Sequence, residues 1–377
     1  MNFDFSPQHY EFRDAFAAYL GEQYTLDRHR AAANDPAVHA QLWDGLTELG
    51  LFSMLVPESQ GGLGLGFVDL ALPLEEFGKA LVPAPVVDTL VATDLVLRYG
   101  TAAQRDRLVP ALVAGKMKIA IAATEPNGGF GAENTATTAL PAGSGWTLAG
   151  TKIMVADAHG ADLLLVVARF QPHGELGLLL LEPGRSGVTV RAESTLDLIG
   201  RFDEVGCEKV AVHAADMLGG TPSAAAVARL MDVAATVAAI QMTGIAGRML
   251  DVAVAYAAQR MQFGKPIGSF QAIKHRCADM AVSADMARTA AYYAAWAIAE
   301  DASDRVRACS IAKSFCGDAA RFVCNEGIQV HGGMGFTWEL GLHYYLRRAK
   351  VLEYSWGDAA YHRERVIAET LAAPAKA

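Results

Sequence analysis

The segment YAAQRMQFGKPIGSFQ, residues 256–271, interrupts a long Ala-rich helical pattern with a turn that contains two glycines and a proline. The pattern predicts one helix that ends near Arg260 and a second helix that begins near Phe270. Long Ala-rich helices that are joined by such a turn favour close antiparallel packing in a bundle. The C-terminal part of the chain is therefore expected to be a helical bundle.

The side chains of this turn also suit a ligand. The Arg260 guanidinium could pair with a phosphate, and the amides of Gln262 and Gln271 could form hydrogen bonds. The rings of Phe263 and Phe270 could cover a flat aromatic group. An ordinary helix–turn–helix with a capping arginine explains the same residues equally well, so the residues alone leave both interpretations open.

Outward from this turn the chain divides into three parts, which predict an α+β protein. Residues 1–115 have apolar side chains at helical spacing, as expected for an N-terminal helical domain. Residues 116–217 contain short apolar runs separated by Gly, Pro, Asn and Ser, which is typical of a β-sandwich or β-barrel. Residues 222–377 return to long helical patterns and predict a four-helix bundle.

Composition excludes several classes of protein. Of the 377 residues 52% are hydrophobic, so the chain can bury a large core, and the net charge of −9 argues against a nucleic-acid partner. Polar side chains interrupt the apolar stretch 224–250, so no membrane span is expected. The five cysteines form no CxxC pair, which argues against a metal site or disulfides. We expect a cytoplasmic protein without a secretory signal.

Two further glycine-rich segments differ in how well they fit a ligand-binding loop. GGLGLG, residues 61–66, does not match the spacing of a dinucleotide-binding loop. IQVHGGMGF, residues 328–336, could let backbone N–H groups approach an anionic ligand, or could simply end a helix. His331 alone is more often a packed or exposed histidine than a catalyst.

Taken together, these segments resemble the acyl-CoA dehydrogenase family. The resemblance rests on the α–β–α order, the connection VPESQGGLGLG (56–66), ATEP (123–126), RMQFGKPIGSFQ (260–271) and QVHGGMGF (329–336). It implies FAD as the cofactor, an acyl-CoA substrate, an electron-transferring flavoprotein as acceptor, and assembly as a tetramer or dimer of dimers.

The resemblance also implies two sets of FAD contacts. One set is presented to the FAD of the neighbouring subunit, and this chain keeps it at Arg260, Gln262, Phe263, Gln271, Gln329, Gly332 and Gly333. The other set cradles the flavin within the same subunit, and Thr124 belongs to it.

The second set departs from the family at several positions. Where the family has a Gly-Ala-Gly-Ser turn, this chain has residues 127–130, so that Phe130 occupies the serine position. Where the family has Trp-Ile-Thr, this chain has Met154, Val155 and Ala156. The Ala156 side chain can neither donate nor accept a hydrogen bond near the flavin.

The largest departure concerns the catalytic base. By ungapped count from Gln329, the glutamate that removes the substrate α-proton is replaced by Trp356, and a following threonine is replaced by Asp358. Some family members carry the base on an earlier helix, at the position of Ala234. An indole has no nitrogen lone pair that accepts a proton, and a methyl group has none at all.

Three acidic residues lie close to these positions in the sequence: Asp232, Glu353 and Asp358. We expect each to be a solvated helix charge, and Asp232 is the weak candidate for a relocated base. The resemblance to base-lacking subunits of heteromeric members implies a partner subunit that carries the glutamate. Such heteromers act on bulky substrates, for example steroid side-chain CoA thioesters. A self-sufficient enzyme, a different flavin chemistry and a scaffold subunit without FAD remain alternatives.

Overall fold

The computed structural model describes residues 5–32, 35–83, 85–126 and 128–372. Helices come first, strands follow, and helices return, so the predicted α–β–α order is confirmed. The N-terminal helices are α1 (Pro7–Gln23), α2 (Leu26–Ala32), α3 (Pro36–Glu48), α4 (Ala71–Lys79), α5 (Val86–Tyr99) and α6 (Ala102–Val113).

Local capping explains where several of these helices begin. The Asp35 side chain accepts a hydrogen bond of 2.9 Å from the Ala37 N–H and starts α3. Thr101 and Gln104 form a reciprocal capping box at the start of α6. Each cap satisfies N–H groups that have no partner within the helix.

The central strands form one seven-stranded sheet in the order β1-β4-β2-β3-β7-β6, with β5 paired to β4. They are β1 (Ile119–Ala122), β2 (Thr138–Ala142), β3 (Gly145–Ala156), β4 (Leu163–Phe170), β5 (Glu175–Leu181), β6 (Val188–Glu193) and β7 (Phe202–Val212). The sequence did not predict β2, which contains Pro141, or β7, in which four of the eleven residues are charged. Strand β2 joins β3 through a tight hairpin at residues 142–145, whereas β7 pairs with β3 over a long range in sequence.

Between residues 222 and 372 the chain forms five helices: α7 (Ala224–Gln259), α8 (Gln271–Ala299), α9 (Arg305–His331), α10 (Leu342–Tyr354) and α11 (Ala359–Ala372). The turn between α7 and α8 holds the two-residue strands β8 (Met261–Gln262) and β9 (Lys265–Pro266), which pair as a small hairpin. The helix that was predicted to end near Arg260 ends at Gln259, so the sequence located this turn correctly.

Helices α4 and α7 pack so closely that their backbones are in contact. A Cβ atom on Gly244 would lie 2.0 Å from the Glu75 main-chain oxygen, and one on Gly78 would lie 2.0 Å from the Gln241 main-chain oxygen. Only glycine fits at such a contact, because any larger residue would force the helices apart. This close approach joins the N-terminal helices to the C-terminal bundle.

Helix α7 is long and apolar enough to cross a membrane by length and composition, but 83% of its apolar window is buried inside the protein. It is therefore the core helix of the bundle. Cys309, Cys316 and Cys324 are free and buried on α9, where they pack as small core residues.

Candidate active site

A cavity of about 640 Å³ lies where the three parts of the chain meet. Helices α5 and α7 form one wall, strands β1 and β3 contribute another, and the end of α10 with the residues after it completes the lining. Most of the lining is apolar, for example Val91, Ile121, Val237 and Leu352. Such a size and lining are typical of a site for a small organic ligand.

Trp356 and Ala234 both line this cavity. Ala234 is buried on α7, and Trp356 is partly buried just after α10. The fold therefore brings together the two positions at which the resemblance implied a catalytic base. Neither side chain can accept a proton at neutral pH.

The Trp356 turn is held by donors from other helices. The Lys313 Nζ donates to the main-chain oxygens of Glu353 at 2.8 Å and Gly357 at 2.6 Å. The His362 Nε2 lies 2.9 Å from the Trp356 main-chain oxygen and must carry a hydrogen to bond there. These bonds fix a turn in which Trp356 has the left-handed φ of 63°.

Burial controls the protonation of these two donors. Desolvation lowers the pKa of Lys313 to about 7, even though nearby Cys316 and Glu353 act in the opposite direction. Desolvation, with help from the Lys313 charge, lowers the pKa of His362 to about 3. At neutral pH the imidazole is uncharged, whereas the Lys313 amine is close to the midpoint of its titration.

The expectation that Asp232 is a solvated charge is wrong. Asp232 is fully buried, and its carboxylate pairs with the Arg305 Nε at 3.3 Å and the Arg365 Nη2 at 2.9 Å. It is absent from the cavity lining. Both arginines are distant in sequence, so helical spacing could not reveal them.

The two other acidic candidates are also engaged elsewhere. Glu353 is buried rather than solvated, because it pairs with Arg321 and, at 2.9 Å, with Lys350. The Asp358 carboxylate accepts a hydrogen bond of 2.8 Å from the Tyr361 N–H at the start of α11. None of the three carboxylates lines the cavity.

The positions of the expected flavin cradle also meet at the cavity. Met154 and Ala156 of β3 line it, together with Thr124 and Phe130. Asn127 lies outside the described residues. A smaller cavity of about 190 Å³ adjoins it and shares Thr124, Phe130 and Trp356 with it. At Phe130 and Ala156 the cavity wall carries an aromatic ring and a methyl group, and these are positions at which the resemblance implied a hydroxyl.

A buried ion pair that the sequence did not suggest holds the loop next to Thr124. The Lys152 Nζ lies 2.6 Å from the Glu125 Oε1, and Lys152 is fully buried. Glu125 also accepts hydrogen bonds from the N–H groups of Ala136 and Thr137. The pairing satisfies both charges, which would otherwise be costly inside the protein.

The residues that the resemblance assigns to a neighbouring FAD lie on the surface. All seven are exposed: Arg260, Gln262, Phe263, Gln271, Gln329, Gly332 and Gly333. The Phe263 ring is 89% exposed and has a φ of 51°. The Arg260 and Phe263 side chains are therefore both accessible to another chain.

The described residues contain no group of three or more His, Cys, Asp or Glu side chains placed to hold a metal ion.

Comparison with known proteins gives consistent family matches. Models of the acyl-CoA dehydrogenase N-terminal, middle and C-terminal domains match residues 6–116, 120–200 and 224–371. The probable acyl-CoA dehydrogenase YngJ of Bacillus subtilis (strain 168) is 33% identical over 345 residues, which cover 88% of this chain and 89% of that protein.

Two solved structures share the fold over nearly the full length. A variant of the Tcur3481–Tcur3483 steroid ACAD is 31% identical with a TM-score of 0.88, and the match covers 97% of this chain and 99% of that chain. The ChsE4–ChsE5 complex from Mycobacterium tuberculosis is 25% identical with a TM-score of 0.90, and the match covers 100% of both chains.

Proposed function

The chain belongs to the acyl-CoA dehydrogenase family, and we propose that it is the base-lacking subunit of a heteromeric member. Members of this family are FAD-dependent oxidoreductases that act on CH–CH bonds. One observation carries the proposal: Trp356 and Ala234 line the same cavity, and neither can take a proton.

Desaturation of an acyl-CoA thioester needs a group that removes the α-proton. FAD, when bound, supplies the hydride acceptor for the β-carbon. In this chain the carboxylates nearest to the two base positions in sequence are committed to other partners. The two base positions themselves hold no carboxylate, and in this proposal the base comes from a homologous subunit, within that subunit's own active site.

The contribution of this chain to the heteromer is the exposed surface around Arg260 and Phe263. There the Arg260 guanidinium would hold the pyrophosphate of the partner's FAD, and the Phe263 ring would cover part of its ADP end. The glycines Gly332 and Gly333 allow the backbone to approach the same cofactor closely. The arrangement explains why these residues are kept while Phe130 and Ala156 depart from the family.

The substrate class that we propose is a bulky acyl-CoA, such as a steroid side-chain thioester. The similarity to a steroid ACAD and to the two-component ChsE4–ChsE5 complex supports both the substrate class and the heteromer. An electron-transferring flavoprotein is the proposed electron acceptor. A cytoplasmic location is part of the same proposal, and the free cysteines are consistent with it.

Co-expression with a homologous subunit that carries the glutamate tests the proposal. We expect the chain alone to be nearly free of flavin and inactive. The co-purified complex should contain FAD and reduce an electron acceptor when a steroid side-chain CoA thioester is added. A yellow homo-oligomer of this chain that oxidises acyl-CoA would overturn the proposal.

The alternatives predict different results. A base relocated to Asp232 is disfavoured, because that carboxylate lies between two arginines and away from the cavity. A scaffold subunit would leave the flavin content of the complex unchanged when the Arg260 surface is altered. A monooxygenase would not be reduced rapidly by acyl-CoA without NADPH.

A further inference from the structure

The positions that the resemblance assigns to this chain's own flavin cradle are divided between the two cavities. Gly128 and Gly129, in the loop that follows β1, line the smaller cavity and not the larger one. Met154 and Ala156 of β3 line the larger cavity and not the smaller one. A cofactor that contacts both groups of positions must therefore extend from one cavity into the other.

Two aromatic side chains stand between the cavities. Phe130 and Trp356 line both of them, together with Thr124. The Phe130 ring packs against the Tyr361 ring of α11, with ring centroids 6.0 Å apart. The turn at Trp356 is fixed by the three hydrogen bonds to its main-chain oxygens described above. A cofactor that passes between the cavities would have to displace both rings from these contacts.

Two backbone donors of the cradle are already engaged. The Ile153 N–H donates to the Thr124 main-chain oxygen at 3.0 Å, and the Met154 N–H donates to the Glu193 Oε2 at 2.7 Å. The side chains that stand in place of the family's two hydroxyls contain no N–H or O–H group. A flavin ring has several polar atoms along one edge, and each is costly to bury without a partner. The donor set of this cradle therefore does not fit a flavin.

The backbone is strained at two bulky residues of the large cavity. Met154 has a φ of 54° and Trp356 has a φ of 63°, both in the left-handed region that favours glycine. Met154 also lies at an irregularity in the pairing of β3 with β7, between Lys152 and Val155. Such irregularities change the direction of a side chain. The surrounding structure thus holds both side chains in the cavity wall in spite of this cost.

The large cavity also contains a carboxyl group without a counter-charge. Asp88 of α5 lines the cavity, is 8% exposed, and accepts a hydrogen bond of 3.1 Å from the Ile121 N–H at its Oδ2. Desolvation raises the pKa of Asp88 to about 7, and among the described residues only that N–H opposes the effect. A reduced flavin carries negative charge, which an ionised carboxyl in the same cavity repels.

We propose that Phe130 and Trp356 exclude FAD from this chain's own cradle, so that the heteromer holds one FAD for every two subunits. The inference rests on the proposed function, in which FAD lies in the partner's cradle and reaches the exposed Arg260 surface of this chain. Phe130 and Trp356 thereby decide which subunit holds the flavin ring, and they take no part in removing the α-proton.

The flavin content of the purified heteromer tests this inference. FAD released by denaturation should amount to one molecule for every two subunits, even after incubation with excess FAD. Phe130→Ser combined with Ala156→Thr removes one ring and introduces two hydroxyls, and should raise the flavin content about twofold. Phe322→Ser makes the same aromatic change at a partly exposed site on α9, outside both cavities, and should leave the content unchanged.

A titration of the FAD-free heteromer with FAD gives a result that does not depend on whether the cradle variant folds. All sites should belong to one class, and Arg260→Ala should weaken every one of them, because each FAD reaches that guanidinium. A second class of sites that Arg260→Ala leaves unaffected would show that this chain holds FAD of its own, against the inference.

The outcomes separate this inference from the proposed function. A heteromer with one FAD in every subunit, whose activity still depends on the partner's glutamate, would overturn the inference alone. A folded Phe130→Ser/Ala156→Thr heteromer that still holds one FAD for every two subunits would also overturn it. If this chain alone is yellow and oxidises acyl-CoA, the proposed function and the inference fail together.

Discussion

The Tyr256 ring stacks on the His331 imidazole, with ring centroids 4.3 Å apart. This contact joins the end of α7 to the end of α9, and each helix leads directly into an exposed segment. Arg260 and Phe263 follow Tyr256, and Gly332 and Gly333 follow His331. Two motifs that are far apart in sequence thereby form one surface, which is the surface proposed to contact a partner's FAD.

Replacing Arg260 should weaken FAD binding in the heteromer without unfolding this chain. In Arg260→Ala we expect the dissociation constant of FAD to rise at least about tenfold, because a charged hydrogen bond to phosphate is lost. Flavin absorbance after dialysis and a thermal melt measure the two effects. Lys274→Ala removes the same charge from an exposed site on α8 and should leave flavin content unchanged.

Replacing Trp356 tests which subunit carries out the chemistry. In the heteromer, Trp356→Glu should change turnover by less than about twofold, because the reaction uses the partner's base. Replacing the partner's glutamate by glutamine should lower turnover by about 10²–10⁴. Steady-state kinetics of the two complexes decide the point, and a large loss from Trp356→Glu would contradict the proposal.

Asp232→Asn should destabilise the fold strongly. The substitution leaves Arg305 and Arg365 without their buried counter-charge, a change that typically costs about 3–5 kcal/mol. Urea denaturation measures the loss. Asp285→Asn is a matched control, because Asp285 is 77% exposed in its pair with Arg288 and should contribute less than about 1 kcal/mol. Turnover per folded heteromer should be unchanged, whereas a base at Asp232 would require its loss.

The buried Lys313 should make stability rise with pH. Its pKa is about 7 in the folded chain against an ordinary value of 10.5, so the unfolded chain binds more protons between these limits. The cost of burying the charge is fully present below pH 7 and disappears toward pH 10.5. The free energy of unfolding of the unaltered protein should therefore increase relative to that of Lys313→Met over this window. Parallel curves for the two proteins would contradict the shift.

Asp88 should show the opposite dependence. Its pKa is raised to about 7 from 3.8, so the folded chain binds more protons between these values, and stability is lost as pH rises through them. Asp88→Asn should match the unaltered protein near pH 4 and exceed it at pH 8 by on the order of 3 kcal/mol. Denaturation at the two pH values measures the difference, and an equal effect at both would argue against a buried, unpaired carboxyl.

Short-range patterns made much of the fold predictable. Alanine-rich helical spacing and the turn residues located α7, α8 and the hairpin between them, because periodicity and turn chemistry act over a few residues. Strands β2 and β7 escaped prediction, since their positions follow from pairing with β3 rather than from their own composition. For β7 the deciding contact is a long-range one, whereas β2 forms a local hairpin with β3 in spite of Pro141.

The candidate site, too, could be predicted only in part from the sequence. The sequence alone determined which side chains stand at the two base positions, because Trp356 and Ala234 have no proton-accepting group in any environment. Only the tertiary structure decided that Asp232 and Glu353 are buried ion pairs and that Asp88 is an unpaired carboxyl in the cavity. The physical reason is that burial and pairing depend on helices that are distant along the chain, whereas the identity of a functional group does not.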